Sequence, residues 1–196
     1  MNKRTKIVGI LIGLLLLVAV GSALAKVTFN SVATSNAVGT PIAGDGFLFK
    51  TTGLHAVTDY SGFGASNGTN FLVYLATPSS AETFATVSQA PFNLTSIDLG
   101  GWLGFGAVPQ WLTISGLQSN GQWVTAQLQV LPTSFETYTP NGFTNLRSVS
   151  LGNAAGVSYV AVDNIVAMPV PEPETYAMLL GGLGLIGATL RRRKNL

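Results

Sequence analysis

Aromatic and amide side chains alternate with apolar ones between positions 122 and 130 of this 196-residue chain. Successive side chains of a β-strand point to opposite faces of a sheet, so Trp123, Gln127 and Gln129 are predicted to share one face. An indole stacks on the apolar face of a sugar ring, and amide groups bind the ring hydroxyls. The pattern therefore favours a weak carbohydrate-binding surface. The alternative is that Trp123 only packs on a neighbouring strand or loop.

Two further tryptophans, Trp102 and Trp111, flank a glycine-containing stretch that predicts a surface loop at residues 103–110. Both are candidates for the same carbohydrate-binding surface, because binding residues concentrate on loops that a rigid scaffold holds in place. The alternative is that each of them closes one end of the fold by packing.

The residues that most enzymes need are scarce. The single histidine, His55, falls in a segment (52–70) whose Gly, Thr, Ser and Asn content predicts a long surface loop, where it would be an ordinary loop residue. Cysteine is absent, which removes a thiol nucleophile, disulfides and thiolate metal sites. No two carboxylates have a spacing that favours a catalytic pair. We therefore expect a protein that is not an enzyme.

Short runs of strand-forming residues, broken by Gly, Asn, Ser, Thr and Pro, must position the candidate side chains. No stretch of the central region places apolar residues at helical spacing over three turns. The number and alternation of the runs predict an all-β sandwich, and Asn120-Gly121 predicts a tight hairpin within it. The predicted strands cover residues 46–51, 71–76, 92–99, 111–117, 122–130, 143–151 and 158–168.

A short apolar segment with a basic start opens the chain. Three cations among the first six residues precede an apolar run at residues 7–20, and Ala23 and Ala25 have the small-residue spacing that signal peptidase requires. The pattern predicts a cleaved signal peptide at residues 1–25 and export across an inner membrane.

Three signals follow one another at the other end. A proline-rich stalk (167–175), extended by its prolines, precedes an apolar run at 176–190 and a basic tail at 191–196. As a helix the run spans about 22 Å against a hydrocarbon core of about 30 Å, so the predicted transmembrane helix suits a temporary anchor. Cations hold such a tail in the cytoplasm. The processing residues of the stalk are Pro171, Glu172 and Pro173, and the cations are Arg191, Arg192, Arg193 and Lys194.

Charge separates these targeting segments from the central domain (26–166). Seven of the ten Lys and Arg residues lie in the targeting segments, so the pI of about 9.0 describes those segments. The central domain holds three cations, Lys26, Lys50 and Arg147, against six carboxylates, which gives a net charge of −3. This balance gives nucleic-acid binding no support.

Taken in order, the Pro-Glu-Pro motif, the apolar run and the basic tail resemble the PEP-CTERM sorting signal of Gram-negative bacteria. The resemblance implies that an exosortase in the inner membrane cuts at or near residues 171–173. It also implies delivery to the cell surface or extracellular matrix, with a role in exopolysaccharide, biofilm or floc formation. The alternative is an ordinary single-pass anchor on a proline-rich stalk.

Four segments, at residues 92–99, 120–123, 143–149 and 162–165, follow one another in the second half of the central region. In this order they resemble jelly-roll domains of the galactose-binding-like type, and the likeness covers about residues 92–168. That resemblance implies a structural calcium ion, with Asp163 on the last strand as a ligand and Asp45 as its partner. Turn capping, or hydrogen bonding to a neighbouring strand, explains both residues equally well.

Together these expectations describe an exported, non-enzymatic surface or matrix protein with a jelly-roll-like β-sandwich that binds polysaccharide weakly. Its expected partners are signal peptidase, an exosortase, the inner membrane for a time, and extracellular polysaccharide. Two alternatives stay open: a structural surface protein that associates with copies of itself, and a periplasmic protein that keeps its membrane anchor.

Overall fold

The computed structural model describes residues 25–77, 79–154, 158–170, 180–184 and 186. Runs of alternating apolar and polar residues form thirteen strands within these ranges, and turns rich in glycine and polar residues separate them. In chain order they are β1 (Ala25–Val27), β2 (Ser35–Val38), β3 (Ile42–Gly44), β4 (Phe47–Thr51), β5 (Leu54–Thr58), β6 (Phe71–Ala76), β7 (Glu82–Thr86), β8 (Phe92–Gly101), β9 (Gln110–Gln118), β10 (Trp123–Val130), β11 (Glu136–Tyr138), β12 (Leu146–Ala154) and β13 (Ser158–Pro169).

The strands form one antiparallel sheet that curls back on itself, so that its two halves face each other. We call the half with the order β10-β9-β12-β7-β4-β3 sheet I, and the half with the order β2-β5-β6-β13-β8-β11 sheet II. β1 lies beside β13 in sheet II. Leu146 of β12 pairs with Phe92 of β8 and joins the two halves. The predicted all-β, jelly-roll-like sandwich is confirmed.

The core between the sheets is rich in phenylalanine. The Phe84 ring lies 5.5 Å from that of Phe49 and 6.1 Å from those of Phe47 and Phe92, measured between centroids. All four side chains are buried. Phe92 belongs to sheet II and the other three belong to sheet I, so this ring cluster ties the two sheets together.

All seven strands predicted from the sequence are present, as β4, β6, β8, β9, β10, β12 and β13. The predicted hairpin joins β9 to β10, and Gly121 adopts the left-handed conformation in its turn, with φ of 84°. The Asn120 side-chain oxygen accepts a hydrogen bond from the backbone N–H of Gln122 at 2.9 Å, which closes the turn.

The prediction for the segment 52–70 is wrong in its first part. Leu54–Thr58 form β5, which pairs with β6 and buries His55 and Val57 at 2% exposure each. Only two of the five side chains of β5 point inward, so its alternating pattern is short. The Gly, Thr, Ser and Asn residues on both sides make the segment resemble a loop in the sequence. His55 is therefore a core residue and not an ordinary loop residue.

The ends of the sandwich differ slightly from the predicted boundaries. Ala25 belongs to β1, where it pairs with Ala167. β13 continues to Pro169. Ala167, Met168 and Pro169, which were assigned to the stalk, therefore pair with β8.

The predicted signal peptide up to Ala23, the processing residues and the basic tail lie outside the described residues. Residues 180–184 and 186, within the predicted membrane segment, are helical. In the described part of the chain, no helix is both long enough and apolar enough to cross a membrane.

Candidate functional site

The outer face of sheet I presents the side chains that the sequence singled out. On β10, Trp123, Thr125, Gln127 and Gln129 are exposed, while Val124, Ala126 and Leu128 are half-buried against the core. Trp123 keeps 61% and Trp111 keeps 57% of its surface accessible, which is unusual for side chains of this size. Neither indole therefore serves chiefly to fill the interior.

Trp111 and Trp123 stand at opposite ends of the β9–β10 hairpin. Trp111 pairs with Gln129 and Trp123 pairs with Leu117 across the two strands. Gln129 lies six positions after Trp123 on β10, and at about 3.3 Å per position the backbone sites of the two tryptophans are about 20 Å apart along the hairpin. This separation suits an extended chain of sugars better than a single sugar.

Hydroxyl groups connect the hairpin to the rest of sheet I. Thr125 of β10 pairs with Ser115 of β9, and Ser115 pairs with Ser150 of β12. Ser150 pairs with Thr83 of β7, which in turn pairs with Lys50 of β4. None of these five side chains is buried, so a polar row about 19 Å wide crosses five strands of the outer face.

A groove of about 690 Å³ opens at the β4–β7–β12 side of this face. Its lining mixes apolar side chains, hydroxyls and one amide with two cations, Lys50 and Arg147. Arg147 follows Leu146 at a register shift between β12 and β9, where a bulge turns its side chain outward. The sequence did not reveal this groove, because its cations come from strands far apart in the chain. The lining residues are Leu48, Lys50, Thr83, Ala85, Thr86, Val87, Gln89, Pro91, Ser119 and Arg147.

Trp102 does not share the outer face of sheet I. It follows β8 in sheet II, and its indole N–H donates a hydrogen bond to the carbonyl of Tyr60 at 3.3 Å. Its ring packs edge-on against Phe63 and Tyr159. Trp102 therefore has the packing role that was its alternative, while Trp111 lies with Trp123, Gln127 and Gln129.

The two predicted calcium ligands have different hydrogen-bond partners. Asp45, in the turn between β3 and β4, accepts a hydrogen bond from the backbone N–H of Thr28 at 3.1 Å and lies 3.5 Å from the Ser31 hydroxyl. Asp163 is fully buried, and its Oδ2 atom accepts hydrogen bonds from Asn67 at 2.7 Å and Thr69 at 3.3 Å. Each acid therefore has its own hydrogen-bond partners within the protein, and in the described part of the chain the two acids share none of them.

One of the two carboxylate oxygens of Asp163 could still accept a ligand. Its Oδ1 atom is buried and has no hydrogen-bond partner. Burial raises the pKa of Asp163, and the charge of Asp98, its cross-strand neighbour, adds to this rise. The side chain of Asn67, the backbone N–H of Asn164 and the Thr69 hydroxyl oppose it. Oxygen atoms of this kind are the ligands that Ca²⁺ requires. Among the described residues, however, no group of three or more His, Cys, Asp or Glu side chains could hold a metal.

A buried ion pair between the sheets was not foreseen. His55 of β5 places Nδ1 at 3.1 and 3.2 Å from the two carboxylate oxygens of Glu82 on β7, and its Nε2 lies 2.6 Å from the carbonyl of Thr40. Both side chains are wholly inaccessible. Since each ring nitrogen faces an acceptor, the imidazolium form satisfies both contacts. The pair is closed to solvent, so neither side chain can reach a ligand in this structure, and each charge depends on the other for compensation.

The fold is an all-β sandwich whose outer face on sheet I carries two exposed indoles and a row of hydroxyl groups. Residues 169–194 match the family model described as the PEP-CTERM protein-sorting motif. The match confirms the motif that the tail resembles, and it indicates that the chain is exported and processed by an exosortase. A comparison with curated proteins finds no match to the sequence.

Solved structures with a similar fold include carbohydrate-binding modules. The CBM22-1 xylan-binding domain of Paenibacillus barcinonensis Xyn10C is 14% identical, with a TM-score of 0.46 over 78% of this chain and 97% of that one. TmCBM61, in complex with β-1,4-galactotriose, is 10% identical, with a TM-score of 0.41 over 62% and 88%. The CBM22-1-GH10 modules of Clostridium thermocellum xylanase 10B are 14% identical, with a TM-score of 0.42 over 74% of this chain. This chain spans 28% of the length of that xylanase.

Proposed function

We propose that this chain is an exported, non-enzymatic protein whose β-sandwich binds polysaccharide at the cell surface or in the extracellular matrix. The observation that carries the proposal is the pair of exposed indoles, Trp111 and Trp123, on a face lined with amides and hydroxyls. Indoles supply the stacking surface for sugar rings, and the amides and hydroxyls supply hydrogen bonds to sugar hydroxyls.

The openness of the face sets the expected affinity. Trp111 and Trp123 stand on paired strands, so their backbone is already ordered before a ligand binds. The ligand stays partly solvated on an open sheet, which keeps each contact weak. Several weak contacts spread over about 20 Å can act together on one polysaccharide chain. The repeating sugars of the chain offer many equivalent binding positions, so the protein can be retained although each contact is weak.

The targeting segments place this domain outside the inner membrane. Signal peptidase removes residues 1–25, and the C-terminal segment then holds the chain in the membrane until an exosortase cuts near Pro171–Pro173. Release at that point frees the sandwich to act in exopolysaccharide or biofilm.

Replacing Trp123 or Trp111 by Ala is expected to lower the affinity for the producing cell's extracellular polysaccharide about tenfold each, because each change removes one stacking contact. Affinity gel electrophoresis of the purified domain in gels containing that polysaccharide measures the effect. Both side chains are exposed, so the variants should keep the wild-type melting temperature.

Phe63→Ala is the matched control for the tryptophan variants, because Phe63 is an exposed ring that contacts Trp102, outside the face of sheet I. It should leave retention unchanged. Equal retention of wild type, Trp123→Ala and Trp111→Ala would refute the proposed function. Concentration-dependent assembly of the domain without any polysaccharide would instead favour the self-associating surface protein.

A structural calcium ion at Asp163 is a second element of the proposal, supported by the buried Oδ1 atom that lacks a partner. Millimolar Ca²⁺ is expected to raise the melting temperature of the wild-type domain, because a ligand that binds only the folded state stabilises that state. Asp163→Asn should abolish the rise, while Asp59→Asn, in an exposed position, should keep it. Differential scanning fluorimetry with and without EDTA makes the measurement, and an unshifted wild type would exclude the ion.

A further inference from the structure

The groove on sheet I concentrates the positive charge of the central domain. Only three cations occur between residues 26 and 166, and two of them, Lys50 and Arg147, line this one groove. The third, Lys26, lies on β1 at the other sheet. A domain with a net charge of −3 thus carries a local charge of +2 at one place on its surface.

The strand register brings the two cations within reach of a common ligand. Lys50 pairs with Thr83, and Thr83 pairs with Ser150, so two strand spacings of about 4.8 Å separate β4 from β12. Arg147 lies three residues before Ser150 on β12, which is about 10 Å along the strand. The two long, exposed side chains extend from these positions into the groove between them.

In the described ranges of the chain, no carboxylate lies on the outer face of sheet I. Glu82 is the one acid on its strands, and its side chain points into the core. The other five acids lie in turns and loops or on sheet II, as Asp45, Asp59, Asp98, Glu136 and Asp163. Among the residues that the structure describes, neither cation of the groove has an acidic neighbour on this face, so both can bind a ligand.

We propose that this groove binds the carboxylate groups of an acidic, uronate-containing polysaccharide. The inference rests on the proposed function, because it assigns the ligand class of the same sheet face. Arg147 binds a carboxylate with two parallel N–H donors, and Lys50 provides a second positive charge. Thr83, Gln89 and Ser119 bind sugar hydroxyls, and the apolar lining accepts the faces of the rings.

The spacing of the two cations fits two carboxylates on one polysaccharide chain. The backbone positions of Lys50 and Arg147 are about 14 Å apart, so each cation can pair with a separate carboxylate along a chain of several sugars. The net negative charge of the domain repels polyanions away from the groove, so any attraction to them is confined to the groove.

The test compares polygalacturonate with the same polymer after methyl esterification, which removes the carboxylate charge and keeps the sugar chain. The purified wild-type domain should bind polygalacturonate at least tenfold more tightly than the ester, and added salt should reduce the difference. Lys50→Gln and Arg147→Gln should each lower the affinity for polygalacturonate about fivefold to tenfold without changing the affinity for the ester.

Lys26→Gln is the matched control, because it removes one exposed positive charge outside the groove. It should bind polygalacturonate as the wild type does. Equal binding of both polymers, equal losses in Lys26→Gln and Arg147→Gln, or tighter binding of dextran sulfate would each overturn the acidic-ligand inference and leave the proposed function standing. Failure of the wild type to bind either polymer also overturns the inference, and the Trp123→Ala comparison on the native polysaccharide then decides the proposed function separately.

Discussion

Glu82→Gln is expected to lower the free energy of unfolding by about 3–5 kcal/mol, because it leaves the buried His55 imidazolium without its counter-charge. Glu82 lies in sheet I and His55 in sheet II, so the pair spans the interior of the sandwich. Neither side chain has any contact with water that would replace the lost partner. Urea denaturation followed by circular dichroism measures the change.

Two further variants separate the ion pair from the fold around it. Thr83→Ala changes the next residue on β7, whose side chain faces outward, and should cost less than about 1 kcal/mol. The double variant His55→Leu/Glu82→Leu removes both charges and should recover most of the stability that Glu82→Gln loses, since apolar residues can replace a buried pair. A loss below 1 kcal/mol in Glu82→Gln would show that the pair contributes little.

The pair also makes the stability of the domain depend on pH. Burial opposes the charge on His55, but its hydrogen bond to Glu82, the Glu82 charge and the Thr40 carbonyl outweigh burial and raise the pKa of His55. For Glu82, burial raises the pKa, and it outweighs the hydrogen bond and charge of His55, which lower it. A raised pKa means that the folded state holds its proton more tightly, so both contributions are present at low pH and are lost as pH rises.

The loss begins above the ordinary pKa values of the two groups, 4.5 for Glu82 and 6.5 for His55, and continues through the raised value of each. Denaturation series across this range should therefore show the wild type losing stability as pH rises. The double leucine variant should show a flatter profile, and parallel profiles for the two proteins would assign the dependence to other groups.

Local patterns in the sequence predicted the parts of the fold that depend on one strand or one turn. The alternation at residues 123–130 gave the outward face of β10 correctly, and Asn120-Gly121 marked its hairpin. Both features depend on neighbours within a few positions. The tail motif was recognisable for the same reason, because its order and spacing are continuous along the chain.

Features that depend on strand pairing could not be predicted in this way. His55 and Glu82 are 27 positions apart, and nothing near either residue indicates that β5 and β7 face each other across the core. Lys50 and Arg147 meet in the groove only because β7 lies between β4 and β12. The short strands β5 and β7 have five residues each, too few for alternation to stand out against polar neighbours.

Phe84→Ala is expected to lower the free energy of unfolding by about 3–5 kcal/mol, the usual cost of removing a fully buried ring. The Phe84 ring contacts Phe47 and Phe49 of sheet I and Phe92 of sheet II. Because both sheets hold these rings in place, the cavity left by Phe84→Ala can collapse only in part. The free energy of unfolding of a domain is typically about 5–15 kcal/mol, so this one substitution should remove a large part of it.

Phe84→Leu and Leu128→Ala test whether this cost comes from the ring cluster. Phe84→Leu keeps most of the apolar volume and should lose less than Phe84→Ala. Leu128 is half-buried on β10 at the edge of sheet I, so Leu128→Ala should cost clearly less than Phe84→Ala, although it also removes an apolar side chain. Equal losses in Leu128→Ala and Phe84→Ala would mean that the ring cluster is no more important than the sheet edge, and the two sheets would then be held together chiefly by backbone pairing around the curl.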